Sequence, residues 1–75
     1  MSRIEPIMIK FGRNVQATRQ ALKISQEELA FRAGLHRTYI GMVERAERSI
    51  SLQNAKKIAD ALNVKLDLLL NGEDL

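Results

Sequence analysis

The chain has no cysteine and no tryptophan, one histidine, one proline, two phenylalanines and one tyrosine among its 75 residues. Without cysteine there is no disulfide framework, no thiolate metal site and no cysteine nucleophile. A lone histidine without cysteine makes no metal cluster, so neither metal nor cofactor is expected. Ser25, His36 and Asp60 are the one conceivable triad. Ser25 and His36 are better explained as helix-start residues, no nucleophile elbow surrounds a serine, and no glycine-rich phosphate loop occurs. Catalysis is therefore not expected, nor is a small-molecule ligand. No segment approaches the roughly 18 uninterrupted apolar residues that a membrane span needs. No basic start leads into an apolar run of the signal-peptide kind. The expectation is a cytoplasmic protein with no membrane partner.

Hydrophobic residues make up 45% of the chain, enough for a core and too many for a disordered segment. The length suits one small domain, residues 1–75. A chain of this size buries only about 60% of its unfolded surface. Helix packing, with dimerisation, must supply the stability that staples do not. The net charge of +3 is unevenly spread: Arg3, Lys10, Arg13, Arg19 and Lys23 face only Glu5 in the first third. That asymmetry allows one positive face for a polyanion, or simply a solvated surface with scattered lysines.

The organising stretch runs from Ser25 to Glu44. Ser25 and Glu28 have capping-box spacing ahead of Leu29, Ala30 and Ala33, predicting a helix over about 26–33. Gly34 stands where a left-handed C-terminal residue is wanted. A second helix, about 36–45, turns Ile40 and Val43 inward and leaves His36, Arg37, Thr38, Gly41 and Arg45 pointing elsewhere. Two short helices, a glycine turn and a polar or basic second helix fit a DNA-binding helix-turn-helix over about 25–45.

Around it, Met1 to Arg3 are expected to fray, and Pro6 opens a helix over about 6–22. Its stripe is Ile7, Phe11, Val15, Thr18 and Leu22, extended backward by Ile4 and Met8. Gly12 inside it costs on the order of 1 kcal/mol relative to alanine and suggests a close helix crossing. A polar loop, 46–50, carries Ile50 as its apolar anchor. Ser51 caps a helix of about 52–62 with Leu52, Ala55, Ile58, Ala59 and Leu62 on one stripe and Asn63 as its stop. A last element, about 65–70, turns Leu66, Leu69 and Leu70 inward; Asn71 and Gly72 end it, and residues 73–75 form a tail. No strand pattern or repeat is present. The fold class is all-α, a compact bundle of five short helices around one core.

Ser25-Gln26-Glu27-Glu28-Leu29-Ala30, Gly34, Tyr39-Ile40 and Val43-Glu44 resemble the Cro/C1-type (XRE) helix-turn-helix domain of phage repressors. Ala61-Leu62-Asn63-Val64 and Asp67 to Gly72 resemble its closing helices. The likeness covers about residues 10–72 and implies the lambda-repressor-like bundle. His36 to Ile40, followed by Glu44-Arg45 and Arg48, is most similar to the controller proteins of restriction–modification systems. Those are stand-alone dimers that regulate their own promoter.

With the second helix in the major groove, Arg37 reads guanine O6 and N7 or binds phosphate. Thr38 offers a methyl to thymine or a hydroxyl to a base or phosphate. His36 reads a base or only caps the helix. Met42 touches a thymine methyl or covers the core edge. Where the family often places a larger polar residue, Gly41 thins the base contacts. Gln26 matches a position that binds phosphate and braces the recognition helix. Tyr39, Arg45, Arg48 and Ser51 are expected phosphate contacts, with Arg13 secondary and the Tyr39 hydroxyl alternatively reaching solvent. The resemblance makes Arg19 and Glu44 a buried structural ion pair rather than DNA contacts.

One helix-turn-helix reads too few bases alone, so a homodimer on a palindromic double-stranded operator is expected. Its surface is placed at about residues 63–72 with Val64, Leu66 and Leu68, Leu68 being the most exposed; the alternative is that all three pack internally. The expected function is a nucleoid-associated transcriptional regulator of its own promoter, with RNA polymerase a further partner if it activates. The rival is an antitoxin or adaptor using the fold for protein contacts. Antitoxins carry an added neutralising segment, whereas this chain has almost nothing beyond the fold.

Overall fold

Five helices follow one another in the computed structural model, which describes residues 5–71. They are α1 (Pro6–Ala21), α2 (Gln26–Ala33), α3 (Arg37–Glu44), α4 (Leu52–Ala61) and α5 (Leu66–Asn71). The expectations for Met1 to Ile4, for Gly72 and for the 73–75 tail lie outside the described residues.

Local chemistry sets the helix starts. Pro6 occupies the first turn of α1, where a missing N–H is no loss. The Ser25 hydroxyl accepts from the Glu28 amide at 2.9 Å and the Ser51 hydroxyl from the Asn54 amide at 3.0 Å. The capping box is modified, however. The Glu28 carboxylate accepts from Arg32 Nε at 2.8 Å, one turn onward along α2.

The first four helices end alike. After α1 the Ile24 and Lys23 amides reach back to the carbonyls of Arg19 and Gln20. The same nested pair follows α2 (Leu35 to Ala30, Gly34 to Phe31), α3 (Glu47 to Met42, Ala46 to Val43) and α4 (Val64 to Ala59, Asn63 to Asp60). This is the Schellman arrangement, and it needs one left-handed residue each time. Gly34 (φ 70°) supplies it after α2, but Lys23, Ala46 and Asn63 (φ 58–60°) supply it elsewhere. Asn63 thus stops α4 from the left-handed region. Ala46 is buried rather than part of a purely polar loop.

The helices close on Phe11, Val15, Leu29, Ile40, Val43, Ile58, Ala59, Leu62 and Leu69. α1 packs on α3 and α5, α2 on α3 and α4, and α4 on α5. At the α1–α3 crossing a Cβ on Gly12 would collide with the backbone carbonyl oxygens of Val43 and Glu44. The glycine therefore sets how closely the two helices approach. Asn14 Nδ2 donates to the Leu69 carbonyl at 3.0 Å and ties α1 to α5.

Four apolar residues of the expected stripes are not in the core, Met8 among them, half-buried but outside the core cluster. Ile7 and Leu22 are about half exposed at the two ends of α1, and Leu52 is 75% exposed at the start of α4. The reason is shared: helical spacing marks a face but not how far the neighbouring helices extend. Ile7, Met8, Phe11, Leu52, Ala55 and Leu70 instead border an apolar groove of about 250 Å³. Thr18 lies on the stripe, but its hydroxyl is buried without a hydrogen-bond partner.

Candidate nucleic-acid interface

α2 and α3 meet across Gly34, and α3 turns Ile40 and Val43 into the core while its other side faces outward. The orientation of α3 is fixed by a polar brace. Arg19 Nε and Nη2 grip the two Glu44 oxygens at 2.6 and 3.1 Å, and Arg19 Nη1 donates to the Ile24 carbonyl at 2.9 Å. Gln26 Nε2 donates to the same carboxylate at 3.0 Å. Side chains of α1 and of the start of α2 thus converge on one residue near the end of α3. The Glu44 side chain is 1% exposed and that of Arg19 11%. A carboxylate this deep needs the fork and the amide together to offset its lost hydration.

At the other end, His36 Nδ1 accepts from the Thr38 amide at 3.2 Å and caps α3. That bond places the ring proton of the neutral imidazole on Nε2, which remains a donor. Arg37 follows with its side chain 68% exposed, 4.0 Å from Glu27. Thr38 is exposed, and Met42 is half-buried at the edge. Gly41 lies between them along the outward side, covered by the side chains of Arg45 and Gln26. Arg45 caps the end of α3 and pairs with Glu47, Nε to Oε2 at 3.0 Å and Nη2 to Oε1 at 3.2 Å. Hydrogen bonding to Arg45 holds the Glu47 carboxyl below the usual carboxylate range, and the same bond raises Arg45.

A second cluster forms where α4 begins. Tyr39 reaches across so that its hydroxyl accepts from Asn54 Nδ2 at 3.3 Å, and the Arg48 guanidinium lies 5.9 Å from its ring centre. Ser51 caps the same helix start. Tyr39, Arg48 and Ser51 thus gather around the start of α4. Sequence reasoning does not single out Asn54, which sits at an ordinary helical position; only its contact with Tyr39 marks it. Glu47 is missed for the same reason. Arg13 is exposed on α1.

Of the residues placed at a dimer surface, Leu68 is exposed on α5, while Val64 and Leu66 are half-buried against the core. Phe31, 81% exposed on α2, is a large apolar side chain that the helical pattern does not flag. No helix among the described residues is long and apolar enough to cross a membrane.

The helix-turn-helix family pattern matches residues 15–69, from the middle of α1 into α5. The chain belongs to the helix-turn-helix family. Among its relatives, Control protein C.SmaI of Serratia marcescens is 47% identical over 62 residues, 83% of this chain and 74% of that one. The crystal structure of the restriction-modification controller protein C.AhdI from Aeromonas hydrophila superposes with a TM-score of 0.81 at 45% identity, covering 83% of this chain and 94% of that one. The P22 c2 repressor, in complex with a synthetic operator, superposes with a TM-score of 0.77 at 32% identity over 84% of this chain and 96% of that one. The lambda-repressor-like bundle is thus the fold of this protein, and the three relatives named above are two controllers and a repressor.

Proposed function

We propose that this chain is a sequence-specific double-stranded DNA-binding regulator that works as a homodimer on a palindromic operator and controls its own promoter. The observation that carries this reading is the outward side of α3. It holds Arg37, Thr38 and Arg45 beside a helix start capped by His36, with the helix fixed from behind by Arg19, Glu44 and Gln26. Direct readout needs a rigid helix with bare donors on its solvent side. The likeness to controllers, and to a repressor solved with its operator, supports the same reading.

In this reading Arg37, Thr38, His36 and Met42 meet bases. Gln26, Tyr39, Arg48 and Ser51 clamp phosphates, with Arg13 at the margin. Leu68, flanked by Val64 and Leu66, joins the two copies so that both α3 helices reach half-sites about 34 Å apart. The protein acts in the cytoplasm at the nucleoid and meets RNA polymerase where it activates. A second reading, an antitoxin or adaptor working through protein contacts, draws on the apolar groove beside Leu52 and on exposed Phe31.

A gel shift on DNA from upstream of its own gene, with unrelated duplex as competitor, tests the proposal. A discrete, competitor-resistant complex at nanomolar protein is expected. Only weak, salt-sensitive smearing would favour the second reading. Leu68→Glu is expected to give a folded monomer with poor operator binding; a dimer that survives it would move the interface elsewhere.

A further inference from the structure

We propose that Arg45 reads a guanine in the major groove through its Nη1/Nη2 edge, with Glu47 as the residue that positions it. The inference rests on the DNA-binding reading above and departs from the phosphate role that the resemblance implies for Arg45.

A guanidinium carries five N–H groups. Glu47 takes the side fork of Arg45, Nε–H and one Nη2–H. The remaining three N–H groups lie on Nη1 and Nη2, and among the described residues no acceptor meets them. That end of the guanidinium is the edge that bonds guanine O6 and N7 together.

Its location is as telling. Nη1 and Nη2 lie 3.1 and 3.6 Å from the point where a Cβ on Gly41 would stand. Arg45 therefore folds back one turn along α3 and lays its unused edge over the middle of the outward side, where Gly41 has no side chain. A substituent there would press on the guanidinium, so the glycine keeps this path open. Arg37, Gly41 and Arg45 form one i, i+4, i+8 row. Because the Arg45 guanidinium lies at the level of Gly41, it stands about 6 Å beyond Arg37 along the axis at 1.5 Å per residue, the rise of about two base pairs.

Charge separates base from phosphate. A phosphate attracts a bare cation, but Arg45 brings the Glu47 carboxylate with it, and a phosphate would repel that anion. At a base edge the contact is made by directed hydrogen bonds, so a neutral pair gives up less there than against a phosphate. Both side chains are more than half exposed, so the pair itself adds little to folding stability. Its geometric effect on the free edge is what remains to explain it.

The test selects binding sites from a library of randomised duplexes with the wild-type protein, Arg37→Ala, Arg45→Lys and Glu47→Gln, each checked by thermal melting. The wild type should select a symmetric site with guanines in each half. Arg45→Lys should lose discrimination at one guanine per half-site by about tenfold, at a position different from the one lost in Arg37→Ala. Glu47→Gln should weaken the same guanine preference as Arg45→Lys. A carboxylate merely near the DNA would do the opposite: its removal would tighten binding to every duplex without changing the selected site. That result, or an unchanged site with Arg45→Lys, would overturn the inference and leave the functional reading intact. No selected sequence with the wild type would overturn both.

Discussion

The two sides of α3 solve opposite problems with similar residues. Facing inward, Glu44 meets the Arg19 fork and the Gln26 amide in near-complete burial, beside a crossing that tolerates only Gly12. Facing outward, Arg45 meets Glu47 through a similar bidentate contact in the open, beside Gly41. Burial makes the first pair structural, because a lone charge there would be stranded in a poor solvent. Exposure makes the second nearly irrelevant to stability, because water hydrates either member alone. One glycine admits a backbone; the other leaves room for a guanidinium. The same interaction types therefore carry folding on one side and are available for recognition on the other.

Substitutions on the two sides should separate these roles. The largest effect is expected from Glu44→Ala, which strands Arg19 and frees Gln26. Loss of one member of a buried pair costs about 3–5 kcal/mol, a large part of the stability of so small a domain, and urea unfolding should show it. Arg37→Ala, on the outward side, should leave that unfolding curve unmoved. It should cost about 1–3 kcal/mol in operator binding and relax preference at one position per half-site, measured by titration of substituted duplexes. Equal weakening for all sequences would make Arg37 a phosphate ligand.

Gly34→Ala comes next. Nothing lies within 4 Å of its missing Cβ, so the cost is the left-handed backbone alone, about 1–2 kcal/mol by thermal melting. Thr18→Val should be neutral or stabilising by up to about 1 kcal/mol in the same assay, because it removes a buried hydroxyl without a partner. Smallest of all, Glu47→Gln should leave the melting temperature unchanged. The Glu47 carboxyl is held low in the folded state, so what the pair contributes is present above the ordinary glutamate range and fades as pH falls through the lowered value. Exposure of more than half of each side chain keeps that contribution minor.

Much of the fold is legible in the chain itself. Ser25, Ser51 and Pro6 mark helix starts because capping is decided within three or four residues of chain. Gly34 and Asn63 mark stops for the same reason. Gly12 stands out as an anomaly in a helical stripe, and the structure puts a backbone against it. The pattern fails where the answer depends on distant neighbours. Ile7, Leu22 and Leu52 fit the stripes but lie beyond the helices that would cover them. Lys23 and Ala46 give no sign of left-handed backbone, because neither residue type prefers it. In the candidate site, the residues of α3 can be named from their periodicity, but Asn54 and Glu47 cannot. Their significance is a contact with Tyr39 in one case and with Arg45 in the other.

The sequence by itself determined the five helices, their caps and the division of α3 into apolar and polar sides, since these follow from hydrogen bonds and hydrophobic spacing within a few turns. Tertiary structure decided which apolar side chains are sealed from water and how close α1 comes to α3. It also decided that Arg19, Gln26 and Glu44 share one buried carboxylate, and that Arg45 lies over Gly41. Those outcomes depend on distances between segments that are far apart in the chain, and only packing sets such distances.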